Sequence, residues 1–285
     1  MTNKHSIFSI FVSLIVALLI VLAGSSSGVD ASGVRLFAIC GLIAFAVQWI
    51  CFIPSWFLHS ERFFDLVGSA TYLTVAVVSL LAIPKIDTRS VLLGLMICLW
   101  GLRLGTFLFA RVQAVGHDAR FNLIKHKFAW FLMTWTVQGL WVLITSSAAL
   151  AAITSSKRSD FGIIGIILWL TGFVIEIVAD EQKRKFKLDP SKQNSFITDG
   201  LWGWSQHPNY FGEIVLWIGV SLVALPGLSS WQYFTLISPV FVFILLTRIS
   251  GLPMLNSAAR KRWGDDPEFL AYKKSTPVLI PRPPK

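Results

Sequence analysis

Charge is scarce in this chain. Asp, Glu, Lys and Arg make up 14% of 285 residues, 54% are apolar, and the mean hydropathy is +0.66. Soluble domains carry about 25% charged residues. A deficit spread along the whole length excludes a soluble globule with one anchor and indicates a polytopic membrane protein. Cysteine is scarcer still. Cys40, Cys51 and Cys98 lie inside apolar runs with no C-x-x-C pair, which argues against a disulfide framework or a zinc site. The five histidines (5, 59, 117, 126 and 207) form no H-E-x-x-H or clustered set, so no metal centre is expected and a histidine-rich di-iron oxidase is excluded. No G-x-G-x-x-G follows a strand, which excludes a Rossmann site. "GWSQH" lacks the second Gly of a nucleophile elbow, so Ser205 does not read as a hydrolase nucleophile.

Long apolar runs are abundant. A helix needs roughly 20 residues to cross a bilayer, and eight runs qualify: 6–23, 34–58, 66–84, 91–110, 129–153, 161–179, 207–225 and 231–253. The pattern predicts an all-α integral membrane protein, a polytopic helical bundle. The first run follows Lys4 and His5 and ends in "VLAGSSSG", so it reads as an uncleaved signal anchor or as a signal peptide.

Cations alternate between loops. Residues 111–128, 180–206 and the tail after 254 are rich in Lys and Arg. The intervening loops hold Lys85 and Arg89, then Lys157 and Arg158. The positive-inside rule places the rich loops and both termini in the cytoplasm. The net charge of +10 is therefore topological, and no nucleic-acid partner is expected.

The polar residues next to the spans gather at their cytoplasmic ends. "FDLVGSATY" puts Asp65 at the mouth of the third span, with Tyr72 two turns on along the same face. "WGLRLG" carries Arg103 between two glycines. "GHDARFN" brings His117, Asp118 and Arg120 together, just after Arg111. In "VIEIVADEQKRKFK", Glu176, Asp180 and Arg184 follow at spacing four, with Lys187 three further on. They form one polar stripe on a helix, either ion pairs leaving the membrane or a binding face for an anion. In "GLWGWSQHPNYFGE", Pro208 suits a first helical turn, with Ser205 or Asp199 as candidate cap. The helix then puts Asn209, Glu213 and Trp217 in one row, flanked by His207 and Tyr210, beneath an N-terminus that favours anions.

"WSQHPNYFGE", with "ADEQKRKFK" upstream and "SGLPML" and "YKKSTPVLIPRPP" downstream, resembles the steroid 5-alpha-reductase-like membrane proteins, in particular their bacterial and plant branch. "FDLVGSATY", "WGLRLGTFLFAR" and "GHDARF" extend the likeness over residues 45–283. The motif R-H-P-x-Y is shared with isoprenylcysteine and phospholipid methyltransferases, and Gln206 stands here in place of its Arg. The resemblance implies seven core spans plus an extra N-terminal one: residues 1–33 as N-terminal span and loop, and 34–285 as a membrane reductase domain.

The resemblance also implies NADPH as cofactor and reduction of an alkene conjugated to a carbonyl in a lipophilic substrate. Asp180, Arg184, Lys187, Asn209, Tyr210, Glu213 and Arg248 would line the cofactor site, and Arg103, Arg111, Asp118, Arg120 and His207 complete the candidate set. Asp65 falls near the family's substrate-engaging acid, and Trp100 falls near its Tyr. Asp65, with Tyr72 as helper or substitute, would donate to the carbonyl. Membrane lipids are the expected surroundings, and the length points to a bacterial inner (plasma) membrane. An S-adenosylmethionine methyltransferase and a non-enzymatic lipid-binding protein are the alternatives.

Overall fold

The computed structural model describes residues 2–157, 160, 162–192 and 194–284. Arg158 and Lys285, counted above among the loop and tail cations, lie outside the described residues. The protein is an all-α polytopic membrane protein. Among the described residues eight helical segments are long and apolar enough to cross a membrane, and they match the eight runs read from the sequence. The chain forms two compact units, Met1–Gly162 with Val220–Ser238, and Ile163–Gly219 with Pro239–Lys285.

The first unit contains α1 (Asn3–Ser25), α2 (Leu36–Phe57), α3 (Phe64–Ala82), α4 (Thr88–Val115) and α5 (Phe128–Ile153). Between α1 and α2, Asp30–Ala31 and Val34–Arg35 pair as a small antiparallel hairpin, β1 and β2. Ser32 and Gly33 take the positive φ that such a tight turn requires. The axis of the unit is α5: 89% of its apolar stretch is buried, against 17% for α1. Gly139, Ser146, Ser147, Ala148 and Ala149 on α5 are small and buried, so neighbouring backbones come close where no hydrophobic effect drives helices together. By contrast α1 is apolar on nearly every face, as a lipid-facing span must be. It is nonetheless tied into the unit, because the Gln232 amide donates to the Gly24 carbonyl at 3.1 Å.

Arg89 corrects the sequence reading, which counted it as a loop cation. It lies in the first turn of α4 with its side chain fully buried. Its guanidinium donates to the Ala152 and Lys157 carbonyls, both at 3.2 Å. It also presses against Gly227 so closely that a Cβ there has no room. The cation is thus spent on backbone carbonyls left over at a helix end.

The second unit contains α6 (Ile163–Leu188), the first part of α7 (Pro208–Ala224), α8 (Ser238–Ile244), α9 (Gly251–Trp263) and α10 (Pro267–Ser275). Gly165 and Gly172 on α6 face Gly219 and Gly212 on α7, and a Cβ at Gly212 would meet the Gly172 carbonyl at 2.6 Å. Only glycine permits this backbone-to-backbone crossing. Pro208 opens α7 as the sequence predicts, but neither candidate cap sits at the N-cap. Ser205 Oγ instead accepts the N–H of His207, the residue just before the helix, at 3.1 Å.

The last predicted span is not one continuous α-helix. Ser230–Ile237 is a 3-10 turn belonging to the first unit, then come α8, a π-turn at Leu245–Ile249 and α9. Pro253 accounts for the interruption just before α9. It has no N–H to give to Ile249, and its ring would crowd that carbonyl.

Candidate functional site

The predicted site residues fall into two clusters, one in each unit. In the first unit the cluster sits at the N-terminal end of α3. Asp65 lies in the first turn, where a carboxylate complements the helix dipole. Its Oδ2 is 3.5 Å from Arg120 and 3.7 Å from Arg111. Arg120 also grips Asp118 through Nε at 2.8 Å. Asp65, Arg111, Asp118 and Arg120, far apart in sequence, are therefore neighbours. Burial would raise the Asp118 carboxyl, but the Arg120 guanidinium holds it below its ordinary value.

Two members of this cluster escaped the sequence reading. Glu61 is buried, receives Lys125 at 2.8 Å and accepts the Asp118 N–H at 3.1 Å. Burial works to raise its carboxyl, and Lys125 with the Asp118 amide brings it below the usual range. These ion pairs tie the 116–127 loop to the α2–α3 turn. Beneath them Phe121 packs among Phe52, Phe64, Phe131 and Trp135.

Tyr72 is buried on α3, edge-to-face with Trp100 at 5.1 Å between centroids. Its hydroxyl contacts the Trp141 carbonyl at 3.4 Å, long for a hydroxyl donor. Arg103 lies over the Phe107 ring at 5.3 Å, a cation–π contact at a half-buried site.

In the second unit, the close α6–α7 crossing brings two predicted residues into contact. Asn209 Nδ2 donates to Asp180 Oδ1 at 3.0 Å, and Asp180 and Glu176 are 7% and 2% exposed. Carboxyl groups so deeply placed in a span mark a functional site by default. The Asn209 side-chain oxygen is buried without a hydrogen-bond partner in the protein. Glu213 and Tyr210 are half-buried on α7, and Tyr210 stacks on His207 with centroids 5.5 Å apart. Arg248 is exposed within the π-turn, an irregularity frequent at functional sites.

The same unit holds a cavity of about 650 Å³; of the predicted cofactor residues Lys187 and His207 line it, whereas Asp180, Asn209, Tyr210, Glu213 and Arg248 do not. Cations rest on aromatic faces around it: Lys183 over Trp202 at 4.4 Å, Lys192 over Phe186 at 5.3 Å and Arg262 over Trp263 at 4.9 Å. Among the described residues no carboxylate lines it. His207 is 8% exposed, and its Nδ1 is buried with no hydrogen-bond partner in the protein. Burial, with the charges of Lys183 and Lys273, pushes its imidazole down to about 3, so it stays neutral. A chamber with cationic rims, flat aromatic faces and a neutral, unpaired ring nitrogen suits an anionic ligand bearing planar rings.

Arg184 is not part of this lining. It is exposed and paired with Glu181 at 2.7 Å, so the stripe read from spacing divides, with Asp180 inward and Arg184 outward. Lys183, Trp202, Arg262 and Lys273 were missed. The interleaving of cations with aromatics in "KRKFK", "RKRW" and "FLAYKK" was the available signal.

A family profile described as "Protein of unknown function (DUF1295)" matches residues 51–276. The chain is 31% identical over 173 residues to a protein named Delta(14)-sterol reductase from Methylotuvimicrobium alcaliphilum, covering 55% of this chain and 39% of that protein. It is 30% identical over 118 residues to 3-oxo-5-alpha-steroid 4-dehydrogenase 1 of Rattus norvegicus, covering 41% and 40%. It is 27% identical over 138 residues to a Delta(14)-sterol reductase of Arabidopsis thaliana, covering 44% and 34%. The chain spans about two-fifths or less of the length of these relatives. No solved structure matches the chain.

Proposed function

Because the chain belongs to the DUF1295 family, a steroid 5-alpha-reductase-like family of membrane proteins, we propose that it is a membrane reductase. It uses NADPH to reduce a carbon–carbon double bond conjugated to a carbonyl in a lipophilic, steroid-like substrate. The observation that carries this reading is the cavity of the second unit, with cations stacked on aromatic faces, no carboxylate among its described lining, and a neutral His207 whose Nδ1 lacks a protein partner. The relatives named as sterol and steroid enzymes support the substrate class.

These residues fit NADPH. Lys183, Lys187 and Arg262 would hold its phosphates, Trp202 would offer a flat face, and His207 Nδ1 would take up a polar edge. When bound, the reduced nicotinamide supplies the hydride. Asp180 orients Asn209 through their 3.0 Å hydrogen bond. In the first unit, the Tyr72 hydroxyl and Asp65, once its carboxyl is protonated, would donate to the substrate carbonyl. Arg111 and Arg120 hold the Asp65 carboxyl in place. A hydrogen bond to the carbonyl oxygen would draw electrons from the alkene and make its far carbon a better hydride acceptor, the other carbon taking its proton from solvent.

In this reading both termini are cytoplasmic and the bundle lies in a bacterial inner membrane. The test is binding to the purified protein in detergent. NADPH should bind with its 2'-phosphate adding affinity over NADH, and S-adenosylmethionine should not compete. Tight S-adenosylmethionine binding without NADPH binding would make the protein a methyltransferase.

A further inference from the structure

The last residues of the described chain form no helix or strand of their own after Ser275, yet they are laced to the turn before α7. Gln206 makes the densest set of bonds. Its amide Nε2 donates to the Lys273 carbonyl at 3.1 Å and the Thr276 carbonyl at 2.6 Å, and its backbone N–H donates to Pro277 at 2.9 Å. Ser205 Oγ donates to the Leu279 carbonyl at 2.8 Å. The Arg282 N–H donates to Trp204 at 3.0 Å, and the Tyr272 hydroxyl donates to the Trp202 carbonyl at 2.7 Å. Burial pushes that hydroxyl's pKa up, so it remains a donor.

The two segments joined in this way both line one cavity. Trp202 and His207 come from the turn, and Phe269, Tyr272 and Lys273 come from α10. The carbonyls that end α10 have no continuing helix to satisfy them. Gln206 supplies their donors while its own backbone leads directly into His207.

We infer that the C-terminal segment from Thr276 to Arg282 is a clasp that closes α10 over the cavity, and that Gln206 is the positioning residue that fastens it. Gln206 lines the cavity itself, and it also acts on it through its neighbours. It sets how far the Lys273 wall stands from Lys183 and His207, and so sets the affinity of the chamber for an anionic nucleotide. The inference rests on the proposed reading of this cavity as the cofactor's.

The experiment uses the full chain in detergent, with NADPH and inorganic pyrophosphate as probes. Gln206→Met keeps the bulk and removes the amide donors. Tyr272→Phe keeps the ring and removes one bond, so it serves if Gln206→Met does not fold. Each buried bond lost should raise the dissociation constant by about three- to tenfold. In the wild type, NADPH should slow hydrogen exchange at the Gln206 and Arg282 amides, a response that a merely structural tether would not give. In the variants the same amides should exchange faster without ligand. Faster exchange at Arg282 with unchanged affinity overturns the clasp, as does exchange that ligand leaves unaltered. If the wild type binds pyrophosphate but not NADPH, the cofactor reading fails and the clasp is judged on pyrophosphate. If it binds neither, both fail.

Discussion

Replacing Asp65 with Asn separates chemistry from architecture. The substitution keeps the shape of the side chain and removes its acid. The structural loss is bounded by the two ion pairs. At 3.5 and 3.7 Å they are longer than a good charged hydrogen bond, and Arg120 and Arg111 are 41% and 47% exposed. Pairs of that kind are worth about 1 kcal/mol or less each, so the protein should lose no more than about 2 kcal/mol of stability. Arg120 keeps Asp118 as a partner, which limits the loss further. An N-cap role is excluded geometrically, because Phe63 occupies that position and Asp65 lies inside the first turn. The catalytic effect is of another size. A positioned acid contributes roughly 10²–10⁴ in rate, or about 3–5 kcal/mol of barrier. The assay is NADPH oxidation with a conjugated enone steroid as probe, run beside a thermal melt and an NADPH titration. Turnover should fall at least a hundredfold, with NADPH affinity near wild type and a modest drop in melting temperature. A folded Asp65→Asn protein with near-normal turnover would refute the reasoning, leaving Asp65 an anchor for two arginines and Tyr72→Phe the next variant to measure.

Lys187→Ala should weaken NADPH about tenfold and NADH less, since a lost charged hydrogen bond is worth about 1.5–3 kcal/mol. Arg184→Ala, outside the cavity lining, should change NADPH affinity less than threefold, and equal effects of the two variants in a titration would contradict the cavity assignment. His207 stays neutral in the fold down to about 3, against an ordinary value of 6.5. The unfolded chain therefore takes up a proton below about 6.5 that the native chain refuses, and stability should fall with decreasing pH across that window by up to about 1.4 kcal/mol per unit. Melting curves of wild type and His207→Gln between pH 6.5 and 4.5 should diverge, and parallel curves would refute the shift. Reporter fusions in 111–128 and around 156 should signal from opposite sides of the membrane, and same-side signals would sink the proposed orientation.

The spans were legible because a bilayer imposes one requirement on every one of them. Backbone groups must be satisfied within the helix, and side chains must be apolar over about 20 residues. That demand is local, so a run such as Phe128–Ile153 announces itself without its neighbours. Two features were misread, one because its partners lie far along the chain and one because hydropathy is blind to its cause. Arg89 looked like a loop cation because the carbonyls that receive it belong to Ala152 and Lys157. The last span looked continuous because hydropathy does not register the missing N–H of Pro253. The glycines at 165, 172, 212 and 219 were visible as residues, but their pairing across two helices was not.

The candidate site was legible as a set of residue types and illegible as an arrangement. The i, i+4 rule placed Asp180 and Arg184 on one stripe, and nothing in that rule says where the stripe stops facing protein and starts facing water. Burial decides it: Asp180 meets Asn209 across the glycine crossing, while Arg184, one turn on, pairs with Glu181 in the open. His207 stood out in "SQHPNY", but its neutral state follows from burial and from Lys183 and Lys273, which lie 24 residues before and 66 residues after it. The same holds for Asp65, whose partner Arg120 is 55 residues away. Short-range spacing can nominate a charged residue in a membrane protein. Whether it binds a ligand, steadies another charge or ties down a backbone depends on which distant group shares its small volume of low dielectric, and there one misplaced partner reverses the role.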